Sequence, residues 1–195
     1  MMSGKDTLLV RAVHNGSLEQ VQALLDTGAD ANTVSPDGTS VLMQAAQVGY
    51  TEIVRVLLAH HANVNYVRSH YGLTALMVAA AANQGDVLRL LIAAGADVNQ
   101  SNEDGSTALM IAAFKGYQAI VQQLLAAGAE VNIRDQDGDT ALKVAIAHSQ
   151  STIVAQLLEA GADLSQVTSS EPLIIFANEL PRRKRTGYQN QKRAS

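Results

Sequence analysis

Five short segments punctuate this chain: GADAN at 28, HANVN at 61, GADVN at 95, GAEVN at 128 and GADLS at 161, spaced by 33, 34, 33 and 33 residues. Two further signals keep the same phase. Leu9, Leu42, Leu76, Leu109 and Leu142 each precede an alanine by three residues, and LEQVQALL, TEIVRVLL, DVLRLLI, AIVQQLL and TIVAQLL begin at 18, 51, 86, 119 and 152. Chance does not produce three coincident periods. A period near 33 residues restricts the chain to a stack of similar units, each of which leaves apolar surface for its neighbours to cover.

Within a unit the apolar spacing changes twice. In the fourth, Leu109, Ala112 and Ala113 fall at i, i+3 and i+4, which predicts a short helix; after Gly116, Ile120, Val121, Leu124 and Leu125 form the stripe of a second, longer one. Gly128 ends that helix, since helices commonly stop at a left-handed residue that glycine adopts without steric cost. The following AEVNIRDQDG combines β-branched residues with an acid-glycine turn and reads as a hairpin-like connection. Aromatic residues are few (two Phe, five Tyr, no Trp) beside abundant Ala, Leu and Val, a balance that favours packed helices over a sheet sandwich. The fold class is all-α: a solenoid of stacked antiparallel helix pairs joined by hairpin-like turns.

Residue by residue the unit resembles the ankyrin repeat. The likeness rests on the turn glycines Gly38, Gly72, Gly105 and Gly138, Thr74, Thr107 and Thr140, the alanine pairs beginning at 45, 79 and 112, the leucine pairs, and Asn32, Asn65, Asn99 and Asn132. It covers about residues 5–165 in five units, 5–33, 34–66, 67–100, 101–133 and 134–166, within an array spanning 1–166. Where the family carries proline after the threonine this chain has Val41, Ala75, Ala108 and Ala141, and where it carries histidine there are Met43, Met77, Met110 and Lys143. The family's threonine-histidine hydrogen bond is therefore missing, with some loss of rigidity expected at each helix start.

Sites of other kinds fail on spacing. Asp97, Asn99 and Ser101 are followed by Asn102 where a calcium loop needs glycine, and Asp135, Asp137 and Asp139 meet Ile146 where it needs glutamate. His60, His61 and His70 are close in sequence, but His61 stands where other units end a helix with glycine and His70 falls in a turn. There is no phosphate loop, nucleophile elbow or cysteine. Neither a catalytic residue, a metal nor a cofactor is expected. The absence of cysteine, of an apolar leader and of an apolar run near 18 residues points to a soluble cytoplasmic chain, with nuclear import open through PRRKR in a eukaryote.

The resemblance implies a non-enzymatic, monomeric interaction module holding a protein partner in the concave groove of a right-handed stack. The partner-binding positions it implies are His70, Tyr71, Leu73, Glu103, Asp104 and Ser106 on the turns, with Pro36, Asp37 and Thr39 before them, and Val48, Phe114 and Lys115 on the first helices. A one-residue insertion between Asn65 and Gly72 lengthens the third turn and should push Tyr71 outward.

The net charge of -4 hides an asymmetry: residues 181–195 carry six bases and no acid, whereas the rest carries 18 acids and eight bases. That tail reads as a solvated terminus; the alternative is an adaptor that contacts nucleic acid or anionic membrane through residues 182–193. Between array and tail, residues 167–180 include PLIIFANELP, which reads as a cap on the last unit, or else as the makeshift end of a shortened array. Deleting 172–195 should expose Ile153 and Leu157 to solvent, lowering the melting temperature and promoting association, while deleting 181–195 alone should do neither. Equal melting temperatures for the two truncations would exclude the cap.

Overall fold

The computed structural model describes residues 3–166. Helices α1 (Gly4–His14) and α2 (Leu18–Asp26) form the first pair, followed by α3 (Val41–Val48) with α4 (Thr51–Ala59), α5 (Ala75–Ala81) with α6 (Gly85–Ala93), α7 (Ala108–Lys115) with α8 (Gln118–Ala126), and α9 (Ala141–Ala147) with α10 (Ser151–Glu159). A 3₁₀ turn at Leu164–Gln166 follows. The odd-numbered helices stack on one another as an inner layer and the even-numbered ones as an outer layer. Among the described residues the connections hold no extended strand, only the antiparallel bridges Val34–Ser40 and Ser101–Thr107.

Each inner helix from the second unit onward starts the same way. The hydroxyls of Ser40, Thr74, Thr107 and Thr140 accept from the amides of Met43, Met77, Met110 and Lys143 at 3.2, 3.3, 3.4 and 3.3 Å. Such a cap contributes about 1 kcal/mol by satisfying a helix-end donor. The hydroxyl thus turns inward along its own helix, and Met43, Met77 and Met110 are buried where the family carries histidine. The first unit differs: Ser3 and Asp6 form a reciprocal capping box, and α1 runs 11 residues against nine for α2, reversing the expected order of lengths.

One apolar cluster runs the length of the array, from Leu9 to Leu157. The alanine pairs Ala45–Ala46, Ala79–Ala80 and Ala112–Ala113 are fully buried, and their small side chains let successive inner helices approach closely. Val41, Ala75, Ala108 and Ala141, in the family's proline position, are buried as well.

Polar groups set the register of this stack. Asn32, Asn65 and Asn132 donate through Nδ2 to the carbonyls of His61, Gly95 and Gly161 in the following unit, at 3.3, 3.1 and 3.3 Å. Their Oδ1 atoms accept from the amides of Asn63, Asp97 and Asp163 at 2.6, 2.8 and 2.8 Å. Asn99 makes the same pair with the Glu130 amide and carboxylate. Each asparagine uses both ends of its amide, so every unit is pinned to the next at the point where its outer helix ends.

His61 has φ 63°, as its alignment with helix-ending glycines predicts. Among the described residues Tyr71, Asn83 and Ser149 also have positive φ. Asn83 and Ser149 follow α5 and α9 where α3 and α7 end in Gly49 and Gly116, and closing bonds such as Gln84 N–H to Ala79 O (2.9 Å) and Gln150 N–H to Ala145 O (2.9 Å) impose the same left-handed exit on them.

Because the His61 side chain is exposed and its carbonyl is held by Asn32, glycine there should relieve backbone strain without removing a contact. His61→Gly is expected to stabilise the fold by about 0.5–1 kcal/mol after the entropy that glycine returns to the unfolded chain. Chemical denaturation should show a raised midpoint at unchanged m, and a lowered midpoint would refute the strain.

Candidate functional site

The inner helices and the hairpin connections meet at an angle that leaves a groove of about 490 Å³ across the second, third and fourth units. Its floor is helical: Met43 and Gln47 on α3, Met77, Val78 and Ala81 on α5, Ala82 just beyond it, and Ile111 on α7. Its wall is made by the hairpin residues Thr39, Arg68 and Leu73. Val78, Ala81 and Ile111 face out because the buried stripe of each inner helix is taken by leucine and the alanine pair, leaving residues at i, i+3 and i+4 on the opposite side.

The wall is a ladder of hairpins. Glu103 N–H donates to Tyr71 O at 3.1 Å and Gln136 N–H to Asp104 O at 2.9 Å, linking the third turn to the fourth and the fourth to the fifth. Glycine is required in this ladder, since a Cβ on Gly105 would lie 2.8 Å from Asp135 Cα and one on Gly72 2.7 Å from Glu103 N.

The third turn closes differently from its neighbours. Ser35, Asn102 and Asp135 each donate to a carbonyl four residues on, whereas Arg68 N–H donates to Leu73 O, five residues on. The extra residue therefore lies between Arg68 and Leu73. Two successive positive-φ residues, Tyr71 and Gly72, close this longer loop. Tyr71 is held at the tip by its amide, which donates to Glu103 Oε2 at 3.0 Å, and stays 64% exposed.

Toward the second unit, a side chain makes the link between hairpins. Arg68 Nε donates to Asp37 O at 3.2 Å and Nη2 to Asp37 Oδ2 at 3.3 Å. The Ser35 and Thr39 hydroxyls donate to the same carboxylate at 2.6 and 2.7 Å, and these bonds, with the nearby guanidinium, hold the Asp37 pKa down at about 2.

The sequence-predicted positions are spread over this surface. Leu73 lines the groove. Val48 and Phe114 are large exposed apolar residues on inner helices, 52% and 50% accessible. Phe114 packs edge-on against His148 of the next unit, ring centroids 4.4 Å apart, and Lys115 Nζ stands 5.8 Å from the Phe114 ring centre. His70, Tyr71, Glu103 and Asp104 are exposed on the hairpins, and Ser106 is half-buried there. Sequence reasoning passed over Arg68 and the floor residues Gln47, Val78, Ala81, Ala82 and Ile111. The one signal for the floor was its offset from the buried stripe. The tail and the 167–180 segment lie outside the described residues.

Among the described residues no three His, Asp or Glu side chains gather where a metal could bind, and no helix is long and apolar enough to cross a membrane. What the geometry defines is a repeat solenoid with an open, mixed polar and apolar groove across its second, third and fourth units. The family model for ankyrin repeats (3 copies) matches residues 9–102 and 81–168, so the chain belongs to the ankyrin-repeat family, whose repeats are generally protein-interaction modules. Similar segments occur in 2-5A-dependent ribonuclease of Mus musculus (42% identical over 59 residues, 30% of this chain and 8% of that protein) and in cortactin-binding protein 2 of Plecturocebus moloch (40% over 65 residues, 33% and 4%). Another lies in protein PhlB of Serratia liquefaciens (43% over 68 residues, 35% and 30%). The chain thus matches less than a third of the length of each of these relatives.

The Asp37 cluster predicts a pH effect of definite sign. A folded-state pKa depressed to about 2 gives a contribution to stability that is present above the unfolded value near 3.8 and is lost as pH falls through the folded value. Carbon-detected NMR titration should place the Asp37 midpoint near the lower figure, and Ser35→Ala should move it toward the ordinary carboxylate range. A midpoint that ignores Ser35→Ala would show that its hydroxyl does not hold the charge.

Proposed function

We propose that this chain is a non-enzymatic binding module that holds a segment of a protein partner in the groove between the inner helices and the hairpin wall. The observation that carries this reading is the groove itself, whose floor presents Val78, Ala81, Ala82 and Ile111 outward from helices already buried on their opposite side. These residues are only partly buried, Ile111 resting against the core, so part of their apolar surface is open to a ligand. Tyr71 and Phe114 supply exposed aromatic surface, the Tyr71 backbone being held by Glu103 and the Phe114 ring braced by His148. Ordered aromatic anchors lose little entropy on binding and often dominate interface energy.

The test is crosslinked capture from source cells with three forms of the chain: unaltered, Tyr71→Ala with Phe114→Ala, and Glu19→Ala with Arg89→Ala on the outer helices. Loss of an anchor typically costs about 2 kcal/mol, roughly a thirtyfold weakening, so the aromatic pair should lose its captured species while the outer pair keeps it, with melting temperatures close to the unaltered chain. If the aromatic pair loses stability but retains its partner, those side chains are scaffold and the reading fails.

A further inference from the structure

Charge is distributed unevenly over the two layers and the wall. Helices α3, α5, α7 and α9 contain Lys115 and Lys143 and no acid; α1 adds Lys5, Arg11 and Asp6, the carboxylate of the last accepting from the Ser3 and Asp30 amides. The hairpin connections show the reverse. Outside the helices the described residues carry ten acids against Arg68 and Arg134, and Arg68 is already committed to Asp37. On the outer layer, Arg55 and Arg89 pair with Glu52 and Asp86 on their own helices.

The surfaces that border the groove are therefore of opposite character. Its inner-helix side offers apolar surface flanked by Lys115, which has no carboxylate partner among the described residues and stands over the Phe114 ring instead. Lys143, the nearest inner-layer cation, is held by Asp139. On the hairpin side Arg68, the one charged residue of the lining, is paired with Asp37, and the neighbouring tip of the fourth unit carries the exposed carboxylates of Glu103 and Asp104, Glu103 being held in place by the Tyr71 amide. Like charges set face to face across an interface are penalised more than matched charges gain, so this arrangement selects against segments of uniform sign on either edge.

We infer that the groove takes a two-edged peptide segment: apolar side chains with an acidic neighbour toward the inner helices and Lys115, and a basic side chain toward Glu103 and Asp104. The inference rests on the binding reading above and adds the partner's chemistry. An overall acidic chain would by bulk electrostatics favour basic ligands everywhere; the inner layer is where that expectation reverses.

Panning a phage-displayed library of random linear peptides on the folded chain tests this and does not require the natural partner. Peptides assigned to the groove are those whose binding is blocked by Ala81→Gln, which fills the floor without adding charge. These should be enriched in both acidic and basic residues at a recurring separation. Lys115→Glu should weaken them about tenfold and be rescued by changing the peptide's acid to lysine, while Asp104→Lys should be rescued by changing the peptide's base to glutamate. Both positions are exposed, and unchanged melting temperatures would confirm that the variants fold. Groove peptides of one sign, or indifferent to both reversals, would overturn this inference and leave the binding reading intact. A library that yields no peptide sensitive to Ala81→Gln would defeat both.

Discussion

No helix pair in this array can bury its own apolar surface, and mutual burial between neighbours is the constraint from which the rest of the structure follows. The inner helices lie close because the facing residues are alanines; a longer side chain at Ala79 or Ala112 would force the units apart. Apolar contact of this kind is not directional and would tolerate a sliding neighbour. The asparagine bridges remove that freedom, since the side-chain amides of Asn32, Asn65 and Asn132 fit a carbonyl and an N–H of the next unit, and that of Asn99 the carboxylate and N–H of Glu130, only in one register.

The binding face follows from what the stack leaves unused. A short helix has room for one buried stripe, and once leucine and the alanine pair occupy it the opposite side has no structural duty. Val78 and Ala81 are therefore placed by the fold with part of their surface uncovered, while Ile111 beside them also rests against the core. The hairpins add a wall fixed by backbone bonds between the tips of the third, fourth and fifth units, by Gly72 and Gly105 where the tips approach, and by Arg68 toward the second, so that the groove has a rigid frame.

How far the sequence announced this can be judged from particular residues. The leucines of the 33-residue period mark the inner helices, GADVN and its variants mark the exits from the outer ones, and the histidine in a glycine position marks a left-handed backbone at His61. The same alignment sets Asn83 and Ser149 one repeat from Gly49 and Gly116 and so carried their left-handed signal too, whereas that of Tyr71 was hidden because the longer third hairpin imposes it. Arg68 escaped notice for a related reason: its role depends on a hairpin one residue longer than its neighbour. The small residues of the floor carried no chemical signal, and only their position relative to the buried stripe distinguishes them. Tyr71 and Phe114 stood out as aromatics, yet the Glu103 bond to the Tyr71 amide and the His148 ring against Phe114 come from the next unit of the array.

The extra residue of the third turn is absorbed between Arg68 and Leu73, and Leu76 and Leu109 remain in phase beyond it. The same insertion inside α5 would turn every later side chain of that helix by about 100° and carry the alanine pair out of the core. Single-residue changes in length thus meet opposite fates within a few positions of one another: lethal to the fold in a helix, and at a tip no more than a new contour beside the groove. The architecture sorts copying errors by location, and those it lets through fall on the surface where variation can be selected.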